Sequence, residues 1–389
     1  MKKGEKAIKQ TIQDQIPLAG NELYFNTAGT GPLLRCVVES ISSDIQKELF
    51  TGRANKGQRS LFQKNLSILR SKVASVIGAN TNEIGVTSNT TEAINTIVWG
   101  MNLTEDDEIL TTNAEHLGAL ASLSTVHKLR NVTIKFYEYS KETNMIFDVN
   151  SFFEKVTQRT KLIVLSHVCW ESGYINPVKE ICNYAKKLRI PVLIDGAQAL
   201  GTMYINMKEI NADFYVFPAH KWLLGPEGIG FMYISSQSIS RLNQIFAGNS
   251  SFLSHDGKVD FIPEVGSKRF EIGTRFRPII SGMNTGLDFL INDIGLSNIC
   301  DMIKGNMEIF QSYINKKTSL SVITNNVNSI SSIRLPQEIN AKAFRKELEK
   351  LNVYTKDIQR FNSIRVSVGF FNDEEQISEL INKINRLIN

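Results

Sequence analysis

Only four cysteines occur in the 389-residue chain, Cys36, Cys169, Cys182 and Cys300. They are far apart and form no C-x-x-C pair, so neither a disulfide framework nor a structural metal site is indicated and the thiols read as buried or incidental. The five histidines show no local metal-ligand spacing. Charge of one sign is scarce as well: 44 Lys and Arg against 39 Asp and Glu leave a net +5, too little over this length to argue for nucleic acid or an anionic membrane as partner. No uninterrupted apolar run approaches the ~20 residues of a membrane span. The start, Met1-Lys2-Lys3-Gly4-Glu5-Lys6, is basic but leads into Lys9, Gln10, Gln13 and Asp14 rather than an apolar stretch. No secretory signal is visible, and a cytoplasmic location is expected. A Walker lysine motif is lacking, and Gly225, Gly228 and Gly230 have the wrong spacing for a dinucleotide fingerprint.

What remains is a globular composition with 42% hydrophobic and 21% charged residues. At about 150 residues per domain the length predicts roughly two to three domains. From about residue 84 to 235, short apolar or β-branched runs alternate with helix-like stretches. Seven candidate strands result: 84–87, 108–112, 132–139, 161–167, 190–195, 213–217 and 229–235. Between them lie helical segments such as 90–100, 117–129 and 178–188, the last opening after Pro177 as first-turn prolines do. This alternation predicts an α/β fold, a mainly parallel seven-stranded sheet with helices on both faces. After residue 275 the pattern shifts to long helical stretches (284–310, 342–351, 373–388) with short strands at 332–335 and 363–368. We expect an N-terminal segment 1–20, a large domain 21–275 and a smaller C-terminal α+β domain 276–389. The polar stretch 319–332 reads as loop or edge strand.

Parallel sheets bind ligands beyond the carboxyl ends of their strands. Three such ends carry unusual polar groups: His167 and Trp170, Asp195-Gly196-Ala197-Gln198, and Ala219-His220-Lys221-Trp222. An acid ending the apolar run Ile190 to Ile194 is costly unless it meets a positive partner or caps a helix. Lys221, among apolar and aromatic residues, would have its amine desolvated and its nucleophilicity raised, unless it snorkels to solvent. Thr87-Ser88-Asn89-Thr90-Thr91-Glu92 runs from a strand into a helix whose first turn suits a phosphate, or is an ordinary cap.

The order of these features, with His116 in Asn113-Ala114-Glu115-His116, Gly273-Thr274 and Arg365, resembles the class V aminotransferases of the cysteine desulfurase superfamily, which are fold-type I pyridoxal phosphate enzymes. The resemblance runs from Tyr24-Phe25-Asn26-Thr27-Ala28-Gly29 to Asn372-Asp373-Glu374-Glu375. By this likeness Lys221 forms a Schiff base with the cofactor and later shuttles the α-proton, and Asp195 holds the pyridine nitrogen protonated so that the ring acts as an electron sink. The same likeness makes His116 the ring-stacking residue and Gln198 the partner of the ring hydroxyl. Thr90, Thr91 and His220 match the phosphate cradle. Thr274 matches a threonine reaching the phosphate of a neighbouring subunit's cofactor, which implies a homodimer. Arg365 matches the arginine gripping the substrate carboxylate, while Asn26 and Ala28 match the segment bordering the substrate.

There are departures. Pro218 stands where many desulfurases have a phosphate-binding serine, and Trp170 stands where they have an asparagine that contacts the cofactor. The segment 352–362, where desulfurases carry a sulfur-accepting cysteine, has none, which disfavours a thiol-mediated desulfurase. The Trp170 variant is more similar to the isopenicillin N epimerase-like branch, which includes aminotransferases and C-S lyases. Amino-group transfer at the α-carbon of an amino acid or related amine is the expected chemistry. A cysteine or cystine C-S lyase, an epimerase and a non-catalytic scaffold are the alternatives. Arg275 and Arg277 are candidates for reading a second acidic group on the substrate, or plain surface arginines.

Overall fold

The computed structural model of the chain describes residues 3–54, 56–139, 146–325 and 327–388. Strand β1 (Leu23–Tyr24) precedes seven strands that form one sheet: β2 (Ile84–Thr87), β3 (Glu108–Thr112), β4 (Thr133–Tyr137), β5 (Thr160–Ser166), β6 (Val192–Asp195), β7 (Phe214–Pro218) and β8 (Gly230–Ile234). Their order across the sheet is β2-β8-β7-β6-β5-β3-β4, and every neighbouring pair is parallel except those that β8 makes with β2 and β7. The expected mainly parallel seven-stranded sheet is therefore present, on the same seven runs.

Side chains along these strands alternate between two cores, as the pleat requires. Ile163, Leu165, Val192, Ile194, Tyr215 and Phe217 point into one cluster, and Leu162, Val164, Leu193, Phe214 and Val216 into the other. Burying each such side chain stabilises the fold by roughly 1.5–3 kcal/mol. Both faces of the sheet are therefore packed, and the strand ends are left to build a site. The helix Thr90–Gly100 starts where Asn89 accepts a bond from the Glu92 amide and Glu92 accepts one from the Ser88 amide, a capping arrangement that fixes the turn after β2.

Beyond the sheet, β9 (Phe252–His255) and β10 (Phe261–Pro263) form a hairpin. Strands β11 (Ser321–Val322), β12 (Ile330–Arg334), β14 (Lys356–Ile358) and β15 (Ser363–Ser367) form a second, antiparallel sheet ordered β11-β12-β15-β14. The polar stretch thus contributes the edge strand β11. The expected helix 284–310 is divided: an α-helix Pro278–Asp288 passes into a π-helical stretch Phe289–Ile294, and a new α-helix Leu296–Lys317 begins after Gly295. Gly295 has φ 88°, a conformation that glycine adopts without strain and that ends the preceding helix.

Near the chain start, β1 pairs in parallel with β13 (Val353–Tyr354), and Asn26 bridges Ser367. Leu23 and Phe25 accordingly lie in a third core with Ile364, Val366 and the helix Glu374–Ile388. A bidentate pair ties the helix Lys56–Ile77 to the segment after the hairpin: Arg70 Nη2 to Glu271 Oε2 at 2.7 Å and Nε to Oε1 at 2.9 Å, with the Val86 amide also donating to Glu271. Among the described residues no helix is long and apolar enough to cross a membrane, and all four cysteines are free thiols.

Candidate active site

A cavity of about 390 Å³ opens at the carboxyl ends of the central strands. Asn26, Ala28, Thr90, Thr91, His116, Trp170, Asp195, Gln198, His220, Lys221 and Arg365 all line it. The expected site residues, scattered over 340 positions from Asn26 to Arg365, are thereby brought together, apart from Thr274, which is exposed and lies outside the cavity of its own chain.

Asp195 ends β6 in full burial, with Oδ1 accepting the Ala197 amide at 2.9 Å. Burial pushes its carboxyl pKa up, while nearby Lys221 and that amide pull it back. Lys221 follows β7 in a tight turn in which the Gly225 amide returns to the Ala219 carbonyl and Leu224 takes a left-handed φ of 48°. The loop before the helix Arg35–Thr51 covers this turn closely: Gly31 donates to the His220 carbonyl at 2.7 Å, and a Cβ on Gly31 would lie 2.1 Å from the Lys221 carbonyl oxygen. A side chain at position 31 would force the lysine's backbone to move.

Burial lowers the Lys221 pKa to about 8, with Arg365 adding to the shift and Asp195 opposing it. The neutral amine is the nucleophile, so the rate at which the apoprotein captures a pyridoxal aldehyde should rise about tenfold per pH unit below that value and flatten above it. An unperturbed lysine would still be accelerating two units higher. Stopped-flow absorbance against pH separates the two profiles.

His116 caps the helix Leu117–Arg130, its Nδ1 accepting the Gly118 amide at 3.1 Å. That leaves Nε2 as the protonated nitrogen of the neutral ring, and burial together with Lys221 lowers its pKa. Trp170 lies edge-on to His116 at 5.6 Å, its indole N–H donating to the Glu115 carbonyl at 3.4 Å. Its own carbonyl accepts Arg365 Nη1 at 3.0 Å, and Asn26 Oδ1 accepts Arg365 Nη2 at 3.0 Å. The buried guanidinium is held from two sides, and desolvation lowers its pKa to about 10. Gln198 donates to the Ala28 carbonyl at 2.9 Å and accepts Trp222 Nε1 at 2.8 Å, so both ends of its amide are oriented.

Three buried polar atoms of cavity-lining side chains have no hydrogen-bond partner among the described residues: Thr90 Oγ1, His220 Nδ1 and Arg365 Nε. Buried polar groups are normally bonded. A molecule with an anion at the Thr90 helix end and a carboxylate at Arg365 would offer them acceptors, and a basic ring nitrogen would suit the carboxylate of Asp195. The donor set fits pyridoxal phosphate with an amino acid.

Some residues take other positions than their place in the sequence suggests. His167, at the end of the strand that carries Trp170, turns away: its Nδ1 lies 2.9 Å from Tyr215 Oη, and burial lowers its pKa to about 4. Arg275 donates to the Val86 carbonyl, and Arg277 lies over Phe62 at 5.5 Å and donates to the Arg53 carbonyl; neither lines the cavity. Ser166 and Lys356 do line it and were not singled out. Ser166 sits level with Asp195 in the β5–β6 register, a relation that only strand pairing reveals.

Beneath the floor, Glu115 is fully buried and accepts two short hydroxyl bonds, from Thr112 and Ser166, both at 2.6 Å. Burial raises its pKa to about 7, with Asp195 contributing. A carboxyl raised above its unfolded value near 4.3 contributes its full stability at low pH and loses it as pH climbs through the folded value. From about pH 5 to about pH 8 the wild type should therefore lose roughly 2–3 kcal/mol relative to Glu115→Gln. Urea unfolding at several pH values measures this, and parallel curves would refute it.

A buried lysine and carboxylate, a helix start suited to an anion and a clamped arginine define a cofactor-dependent enzyme of amino compounds. The Aminotransferase class-V family profile matches residues 23–380; the chain belongs to this family, and with it to the pyridoxal phosphate-dependent enzymes. A probable cysteine desulfurase of Methanothermobacter thermautotrophicus is 29% identical over 295 residues, spanning 75% of this chain and 72% of that protein. An uncharacterized aminotransferase of Schizosaccharomyces pombe is 27% identical over 395 residues, spanning 97% of this chain and 95% of its own. Among solved structures, the cystine C-S lyase C-DES in complex with its product cysteine persulfide superposes with TM-score 0.91 at 25% identity, over 95% of this chain and 99% of that one.

Proposed function

We propose that this chain removes the α-proton of an amino acid bound beside pyridoxal phosphate, and that amino-group transfer to a keto acid is its reaction. The observation that carries this is the convergence of Lys221, Asp195 and Arg365 on one cavity whose remaining buried donors lack partners. The cofactor, when bound, withdraws electrons from the substrate α-carbon.

The rest is work for the chain's own residues. The phosphate is held by Thr90, Thr91, the free amides of their helix turn and His220. Asp195 would keep a proton on the ring nitrogen, His116 would cover the ring, and Gln198, braced by Trp222 and Ala28, would serve the ring hydroxyl. Trp170 positions both His116 and Arg365. Arg365, oriented by Asn26, grips the α-carboxylate. Lys221 would hold the cofactor aldehyde, and its amine would carry the proton from the substrate α-carbon to the cofactor carbon that bears the amino nitrogen, the relocation that amino-group transfer requires. The division at about residue 275 belongs to this proposal, with the cofactor residues in the large unit and Arg365 in the small one.

A homodimer is also proposed, with Thr274 reaching the partner's phosphate. The exposed Leu253 and Ile262 of the hairpin and Phe276 beside Thr274 support an apolar contact there.

A second reading, cystine or cysteine C-S lyase, is supported by the likeness to C-DES and by the lack of any cysteine among the residues lining the cavity. Incubating the holoenzyme with a panel of amino acids, with and without keto acids, decides. Products that appear only with a keto acid establish transfer. Pyruvate formed without one, together with sulfide from cysteine or a persulfide from cystine, establishes elimination. No product under either condition removes both readings.

A further inference from the structure

Lys356 is the cation in the cavity for which the proposed chemistry has no use. It sits on the edge strand β14, directly opposite Arg365 in the antiparallel register with β15, and both line the cavity. Like charges placed directly opposite each other on a sheet disfavour the pairing, so this register is better satisfied when an anion lies over the two. No hydrogen bond or ion pair engages the Lys356 amine among the described residues. The neighbouring Asp357 is committed elsewhere, to Arg345 Nε at 3.0 Å and Gln359 Nε2 at 2.7 Å.

The charges around the cavity are unbalanced. Asp195 is the one carboxylate among the lining residues, and the proposed function assigns it to the ring nitrogen. Two acids lie behind the wall: Glu171 is paired with Arg360 at 3.3 Å, and Glu115 beneath the floor is taken up by the hydroxyls of Thr112 and Ser166. With Arg365 given to an α-carboxylate, the exposed Lys356 is the lining cation left without a hydrogen-bonded or ion-paired acid, only the neighbouring Asp357 acting on it through space. Arg275 and Arg277, the sequence's own candidates for such a task, are bonded to backbone carbonyls outside the cavity.

We infer that Lys356 reads a second carboxylate, and that the substrate is an amino acid whose side chain ends in one. This rests on the proposed role of Arg365 as the α-carboxylate grip and adds the substrate class to it. A lysine suits the task because its flexible stem places a point charge over a range of distances, whereas Arg365 makes the fixed two-bond contact.

Calorimetric titration of the holoenzyme with butyrate and with the dicarboxylates succinate, glutarate and adipate tests it. At least one dicarboxylate should bind at least about fivefold more tightly than butyrate, as expected for a partly exposed ion pair. Lys356→Met should remove that preference while leaving butyrate binding within about twofold. Lys356→Glu should reverse it. The side chain is exposed, so both variants are expected to fold. Equal binding of butyrate and all three dicarboxylates overturns the inference and leaves the Arg365 assignment standing. Equal weakening of every acid by Lys356→Met also overturns it, because Lys356 then shares the single carboxylate of Arg365. Failure of every acid to bind overturns the Arg365 assignment together with this inference.

Discussion

Lys221→Ala should lower kcat by at least about 10⁴-fold, since one side chain supplies both the covalent anchor and the proton carrier. The fold should tolerate the change. Burial already disfavours the charged amine, lowering its pKa to about 8, so its removal takes away a group that is costly to desolvate. Circular dichroism and thermal melts of the variant should match those of the wild type. Added primary amines should restore part of the rate, because the cavity left by the side chain admits a small base. A variant that keeps its rate, or that loses it only through unfolding, is incompatible with the proposed role. The scaffold alternative makes the opposite demand: the wild type would show no turnover to lose.

Arg365→Met should reduce kcat/KM by about 10²–10³-fold, the loss expected when one partner of a buried, hydrogen-bonded charge pair is removed. Most of it should appear in KM, because the guanidinium is held by the Trp170 carbonyl and Asn26 before any substrate arrives and acts on bound and reacting forms alike. Arg365→Lys should recover only a small part, as an ammonium cannot reproduce the two parallel bonds. The amine-substrate case gives an internal control: an amine lacking the α-carboxylate should be processed equally by both variants and the wild type. A kcat effect with unchanged KM would mean that Arg365 serves the reacting atoms instead.

The seven-stranded sheet was readable because each strand is a β-branched or apolar run ended by turn residues, and because helical periodicity intervenes between runs. The strand ends marked Asp195 and Lys221 as candidates because both follow apolar stretches, but a helix cap and a snorkelling lysine stayed open until the resemblance to the family gave them roles. What the sequence did not disclose depended on pairing across distance. Lys356 and Ser166 enter the cavity through their registers with Arg365 and Asp195, and register leaves no mark in a single strand. The docking of β1 onto β13 involves two residues on each side, too few for any periodicity. His167, noted with Trp170 as a polar residue after a strand, does not line the cavity. It lies next to strand β5, and the reversal of side-chain direction from one residue to the next sends it to Tyr215 instead. The unbroken helix expected over 284–310 fails at Gly295, where the apolar pattern continues but the backbone does not.

The proposed chemistry has one root: the Lys221 amine, and no other of the chain's lysines, carries the cofactor. The direct measurement is borohydride reduction of protein supplied with pyridoxal phosphate, followed by proteolysis and mass spectrometry. The account predicts a stable phosphopyridoxyl adduct on the peptide containing Lys221, with no label there in Lys221→Ala. A label carried by a different lysine, or none after complete loading, would contradict it.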